Sequence, residues 1–211
     1  EMGQLEYFLP EWLEAVERDY NHPSVIGWCP FNETWDFRGR KQCDRLLETV
    51  YAVTKAVDPT RPVIDTSGNY HVVTDIFDVH DYEQNPEIFM SHHCCLPDAE
   101  NGIYKNSRQR YDGKLPTFVS EYGGIRWADS EKEGWGYGNA PESAEEFIER
   151  YKGLSDVLLD NKYMMGFCYT QLYDVEQELN GLMTYDRRFK FDPEIFRHIN
   201  ARTAEIEKDG S

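Results

Sequence analysis

Val25-Ile26-Gly27-Trp28-Cys29-Pro30-Phe31-Asn32-Glu33 decides how this chain is read, together with a second stretch of the same build, Pro116-Thr117-Phe118-Val119-Ser120-Glu121-Tyr122-Gly123-Gly124. Each is an apolar run that stops at a glutamate. A run of this length between turn residues reads as a strand buried on both faces. A carboxylate at its end adds nothing to packing and is costly to bury. In parallel α/β proteins the C-terminal ends of strands are where sites are built. A single glutamate in such a place can equally be a solvated turn residue. Two of them, one following Asn32 and one preceding Tyr122-Gly123-Gly124, point to paired-carboxylate chemistry. Glycoside hydrolysis is the leading reaction of that kind.

The composition narrows the field. A chain of 211 residues can bury one sizeable core. With 40% hydrophobic and 14% aromatic residues it is globular and not disordered. Most of the 5 Trp, 14 Tyr and 11 Phe belong to that core, but such rings also line sugar sites, because a pyranose has an apolar face that stacks on them. The net charge of −17, from 22 basic and 39 acidic residues, argues against nucleic acid and anionic membrane surfaces as partners. No run approaches the ~18 apolar residues that a membrane span needs. The opening Glu1-Met2-Gly3-Gln4 has no signal-peptide pattern. The five cysteines are odd in number and show no disulfide framework. Cys29 and Cys168 lie in apolar runs and are expected to be buried thiols. The run His92-His93-Cys94-Cys95 lacks the spacing of a zinc site, since adjacent residues cannot easily all face one ion. No metal or other cofactor is expected.

Strands and helices alternate along the chain. A helical stripe covers residues 5–20 through Phe8, Leu9, Trp12, Leu13 and Val16. A strand follows at 24–31, then a helix at 41–57 that Asp58-Pro59 ends. Further strands are expected at 62–66 and 76–82, then an irregular polar region with weak helical content at 84–114, then the strand at 117–121. Residues 127–139 read as a long loop over a site. Ser143 with Glu146 forms a capping box for the next helix. The last strand is expected at 164–171, and Asp192-Pro193 opens a final helix that runs past Ile206. Such alternation implies an α/β fold with a parallel sheet and right-handed crossovers. Five strands fit either an open doubly wound sheet or part of a (β/α)₈ barrel, which needs eight strands and typically about 250 residues.

These residues resemble the retaining glycoside hydrolases of the (β/α)₈ superfamily. More narrowly, they are similar to glycoside hydrolase family 2, the β-galactosidase, β-glucuronidase and β-mannosidase group. The resemblance rests on Asn32-Glu33, on Ser120-Glu121-Tyr122-Gly123-Gly124, and on Asn21-His22-Pro23-Ser24-Val25-Ile26-Gly27-Trp28. It extends to Gly166-Phe167-Cys168-Tyr169-Thr170-Gln171-Leu172-Tyr173-Asp174-Val175-Glu176 and to Asn180-Gly181-Leu182-Met183-Thr184-Tyr185-Asp186-Arg187. It implies a partial TIM barrel in which residues 1–211 are the C-terminal portion of the catalytic domain, with the five strands as barrel strands four to eight. The first three strands and the preceding β-sandwich domains then lie outside this chain. It also implies a retaining exo-β-glycosidase, β-galactosidase-like, with a carbohydrate as partner. Glu33 at the end of strand four is then the acid/base and Glu121 at the end of strand seven the nucleophile. Asn32 would bond the sugar 2-hydroxyl, and Tyr82, at the end of strand six, would touch the nucleophile. His80 stands at the same strand end. Many members of the superfamily end strand eight in a tryptophan platform. Tyr169 and Gln171 stand in that region here, and Trp35 and Trp127 offer alternative stacking surfaces.

Two other functions compete. One is a non-catalytic carbohydrate-binding half-barrel. The other is a metal-dependent hydrolase built on Asp78, His80 and Asp81. A half-barrel also exposes strand edges and apolar interior, so the isolated chain is expected to self-associate and to turn over poorly.

Overall fold

The computed structural model describes residues 2–36, 41–99, 101–128 and 133–208. Its elements run α1 (Leu5–Asp19), α2 (Asp44–Val57), β1 (Phe77–Asp81), α3 (Pro86–His93), β2 (Thr117–Gly123), α4 (Ala144–Leu159), β3 (Met164–Thr170), α5 (Pro193–Asn200) and α6 (Glu205–Lys208). The three strands form one parallel sheet in the order β1-β2-β3. Among the described helices none is long and apolar enough to cross a membrane.

The helices start where local chemistry dictates. Asn85 caps α3 by accepting the Glu87 and Ile88 amides at 2.8 and 3.2 Å, and Pro86 takes the first turn, where no amide partner is needed. Ser143 caps α4 through the Glu146 amide at 3.2 Å. The returning Glu146 carboxylate reaches the Glu142 amide, one residue short of the expected box partner. The polar region at 84–114 thus contains a regular helix, and the final helix is broken into α5 and α6.

Two of the five expected strands are extended segments and not strands. Residues around Trp28 and Asn32 run parallel to those around Val63 and Ser67 through single bridges, Trp28 to Val63 and Asn32 to Ser67. The reason lies in the aspartates beside the second segment. Asp75 accepts the Val63 amide at 2.9 Å, Asp65 accepts those of Thr66, Val72 and Val73, and Asp78 accepts that of Gly68 at 3.0 Å. Side-chain oxygens here take amides that a neighbouring strand would otherwise satisfy.

Burial is one-sided. Phe77, Val79, Val119, Tyr122, Phe89, Phe147, Tyr151, Leu154 and Phe196 form the main core between the sheet and α3, α4 and α5. Val16, Trp28 and Val63 form a second, smaller one with Trp12 and Val57. Trp28 donates to Asp58 at 2.9 Å, and Arg61 joins Asp58 to the Tyr20 and Val25 carbonyls. The expectation of strands buried on both faces holds for β2, the central strand with no exposed residue, and fails for the first segment and for β3. Ile26 is 82% exposed, and Cys29, Met165 and Cys168 are also at the surface. Met164, Phe167 and Tyr169 of β3 pack into the core, and among the described residues β3 has a single neighbour in the sheet. The buried-thiol reading of Cys29 and Cys168 fails for that reason.

Candidate active site

Alternation along β1 separates two kinds of chemistry. Phe77 and Val79 enter the core, and Asp81 meets α3, where it binds His92 at 2.8 Å and His93 at 2.9 Å. These two histidines outweigh the effect of burial and hold the Asp81 carboxyl below its ordinary range. Asp78, His80 and Tyr82 take part in a separate network. Asp78, His80 and Asp81 therefore do not converge, and the metal-hydrolase reading built on them is not met by this geometry.

A bulge aims β2 at that network. Val79 pairs with Val119 and His80 with Glu121, which leaves Ser120 as an extra residue. The register of β2 against β3 shifts over the same stretch. The extra residue lets consecutive side chains serve one site, as bulges beside active sites do. Ser120 donates to Asp78, and Glu121 meets His80 and Tyr82.

Glu33 arrives from the first extended segment with φ of 49°, a left-handed conformation that costs a non-glycine residue about 1–2 kcal/mol and recurs at functional sites. Its amide donates to the Ser67 carbonyl at 3.0 Å. Its carboxylate lies 2.8 Å from His80 Nδ1, and the same nitrogen is 3.4 Å from Glu121 Oε2. One atom each of Glu33, His80 and Glu121 can be chosen so that all lie within 4.8 Å of one another. The Tyr82 hydroxyl donates to Glu121 Oε2. Burial first, and then the Glu121 carboxylate, push the Tyr82 hydroxyl far above its ordinary pKa, so it remains a donor. Tyr82 stacks on Tyr137 with centroids 3.5 Å apart. Gly124, at φ of +61°, makes room for both rings, since a Cβ there would meet Tyr137 at 2.4 Å.

Asn32 is exposed beside Glu33, at the bridge to Ser67. Trp35 is 46% exposed, edge-on to Tyr70, and borders two open cavities. Glu33 lines one of about 350 Å³ and His80 the other of about 290 Å³. Two expected site residues are elsewhere. Trp127 packs on Phe147 and Phe191, and Tyr169 lies among Tyr122 and Tyr151 under α4. Both are core residues and not sugar platforms. Of the expected loop at 127–139, residues 129–132 lie outside the described residues; its Tyr137 reaches the site. Sequence reasoning missed Ser67, Gly68, His71 and Tyr137. The polar run Asp65-Thr66-Ser67-Gly68-Asn69, buried at the end of an extended segment, was the available signal. Two carboxylates and an imidazole could also hold a cation, and they equally suit proton transfer and nucleophilic attack on one bond.

Residues 4–203 match the family description "Glycosyl hydrolases family 2, TIM barrel domain". The chain belongs to glycosyl hydrolase family 2. Similarity to curated relatives of this family is local. β-Glucuronidase from Canis lupus familiaris is 43% identical over 67 residues, 31% of this chain and 10% of that protein. The Felis catus β-glucuronidase is 42% identical over 67 residues, again 31% of this chain and 10% of that protein. Among solved structures, the β-glucuronidase of an uncultured Clostridium sp. superposes with a TM-score of 0.68 at 18% identity, covering 94% of this chain and 36% of that one. The family 2 β-galacturonidase of Eisenbergiella tayi, bound to galacturonate, gives 0.64 at 17% identity over 90% of this chain and 36% of that one. The chain thus spans about a third of these structures, and at such identity they support the fold alone.

Proposed function

We propose that this chain carries both catalytic carboxylates of a retaining exo-β-glycosidase. The observation that carries the reading is the approach of Glu33 and Glu121, on either side of His80, to within 4.8 Å. Retaining enzymes hold their two carboxyls about 5–5.5 Å apart, whereas inverting ones leave about 6.5–9.5 Å for a water. Glu33 protonates the glycosidic oxygen as Glu121 attacks the anomeric carbon. The aglycone leaves, and the sugar stays bonded to Glu121. Glu33 then takes a proton from the water that releases the sugar. Tyr82 orients Glu121, Asn32 is placed to meet the 2-hydroxyl, and Trp35 offers a stacking face. In this reading the two extended segments and β1, β2 and β3 are barrel strands four to eight.

The sugar is the finer question. The resemblance suggested a β-galactoside. The curated relatives named above are β-glucuronidases, which favours a β-uronide instead. The test uses the intact protein with chromogenic β-galactosides and β-glucuronides, with and without a chelator. The expected result is chelator-insensitive release of a sugar that keeps its anomeric configuration. Glu121→Ala should abolish turnover. Glu33→Ala should lose far less on substrates whose leaving group needs no proton. An inverted product, or equal losses on both substrate types, contradicts the assignment.

A further inference from the structure

On the reading of Glu33 and Glu121 given above, we propose that a buried chain of side chains, Asp65–His71–Asp78–Ser67, locks His80 in the tautomer that carries its proton on Nε2. His80 Nδ1 and Glu33 then share one proton in front of Glu121.

The argument is a count of donors and acceptors. Asp78 Oδ2 receives the Ser67 hydroxyl at 2.6 Å, the Gly68 amide at 3.0 Å and the Ser120 hydroxyl. An ionised carboxylate only accepts. The single proton of Ser67 is therefore committed to Asp78, and only lone pairs of Ser67 Oγ face His80 Nε2 at 3.0 Å. The hydrogen between them must belong to Nε2. Ser120 Oγ, 3.0 Å from Ser67 Oγ, can also accept from Ser67 while its own proton goes to Asp78, so either acceptor draws the Ser67 proton away from His80.

Asp78 must be ionised for this to hold, and the far end of the chain secures it. His71, only 4% exposed, sits between two carboxylates, with Nδ1 2.7 Å from Asp65 and Nε2 3.1 Å from Asp78. Burial alone would strip its charge. The pairing with Asp65 and Asp78 outweighs this and raises the imidazole to about 10, so it stays cationic at neutral pH. Asp78 in turn is held below its ordinary range, because His71, Ser120 and Ser67 outweigh its burial.

The ring cannot turn away. Gly68 adopts φ of +68°, and a Cβ there would lie 2.3 Å from His80 Cγ, so the backbone itself packs against the imidazole. With Nε2 occupied, Nδ1 is left facing Glu33 Oε1 at 2.8 Å and Glu121 Oε2 at 3.4 Å. The remaining proton sits on Glu33 with a bare Nδ1, or on Nδ1 with an ionised Glu33. Its move between the two breaks one N–H and forms one O–H. The Tyr82 ring stands edge-on to the imidazole, and its hydroxyl is committed to Glu121. His80 is thus a positioning residue for the acid/base.

The test reads His80 directly. In the 211-residue chain with ¹⁵N-labelled histidine, long-range proton–nitrogen correlation spectra report the protonation of each ring nitrogen. His80 Nε2 should carry a proton at neutral pH. In Ser67→Ala the Nδ1–H tautomer should appear, because Nδ1 still faces two carboxylates while Nε2 has lost its acceptor. Ser67→Thr, which keeps the hydroxyl, should behave as the parent, with circular dichroism checking the fold of both. A bare Nε2 in the parent, or an unchanged tautomer in folded Ser67→Ala, overturns the proposal. These spectra need no turnover, so a protein without glycosidase activity would remove the proposed reaction and leave this inference to be judged on its own.

Discussion

Tyr82 shows how much one hydroxyl can be asked to do. It donates to Glu121 Oε2 from a ring clamped on Tyr137, so it restricts the carboxylate that attacks in the proposed mechanism. A hydrogen bond to a charged group is worth about 1.5–3 kcal/mol, which is roughly a 10- to 150-fold effect on rate. Tyr82→Phe in the intact protein should lower kcat by that factor with a smaller change in KM. Steady-state kinetics on a chromogenic substrate checks this, and an unchanged kcat would show Glu121 to be oriented by other means. That Glu33, Glu121, Tyr82 and His80 stand out was legible in the sequence because they end apolar runs, and the structure brings the four together. Tyr169 and Trp127 were misplaced because an aromatic residue satisfies a core as well as it satisfies a sugar.

At the scale of elements, α4 illustrates where local rules suffice. Ser143 takes the Glu146 amide, Glu145 and Glu146 sit in the first turn, and Phe147, Tyr151, Leu154 and Leu158 recur on one buried face. Ser143→Ala should cost about 1 kcal/mol, read as a lower urea midpoint with unchanged slope. No loss would mean that the Glu146 contact to Glu142 already fixes the helix start. β2 illustrates the opposite. Its sequence announces a strand, but the extra residue at Ser120 is visible only against the register of its neighbours. That residue decides whether Ser120 and Glu121 can serve one network.

For the whole molecule, the buried His71 links folding to pH. Its folded-state value of about 10 exceeds the ordinary 6.5, so its contribution is complete below about 6.5 and is lost as pH rises towards 10. Between pH 6.5 and 8.5, before thiols and tyrosines titrate, stability in urea should fall with a slope approaching ~1.4 kcal/mol per pH unit. A flat profile over that window would mean that His71 is not held as a cation. The open faces make a second prediction. Ile26 is 82% and Met165 43% exposed, Leu172 61%, and among the described residues β3 has one neighbour in the sheet. Apolar surface and a free strand edge together favour association. Sedimentation velocity on the chain should show a species larger than its own 24.8 kDa. A stable monomer at micromolar concentration would contradict this.

What the sequence determined by itself is local and repetitive. The alternation of apolar runs and amphipathic stripes set the α/β class, the Ser143 cap set the start of α4, and the interruption of apolar runs by Asn32-Glu33 and by Ser120-Glu121 marked the candidate site. These features depend on residues within a few positions of one another. What only the tertiary structure decided involves pairs far apart in the chain. Ser67 meets Asp78 and Ser120, His71 sits between Asp65 and Asp78, and Glu33 reaches His80 across 47 positions. Propensity and periodicity carry no information about such meetings. A buried polar group must be satisfied, but any donor or acceptor that the fold brings within reach will serve, and the fold alone chooses which.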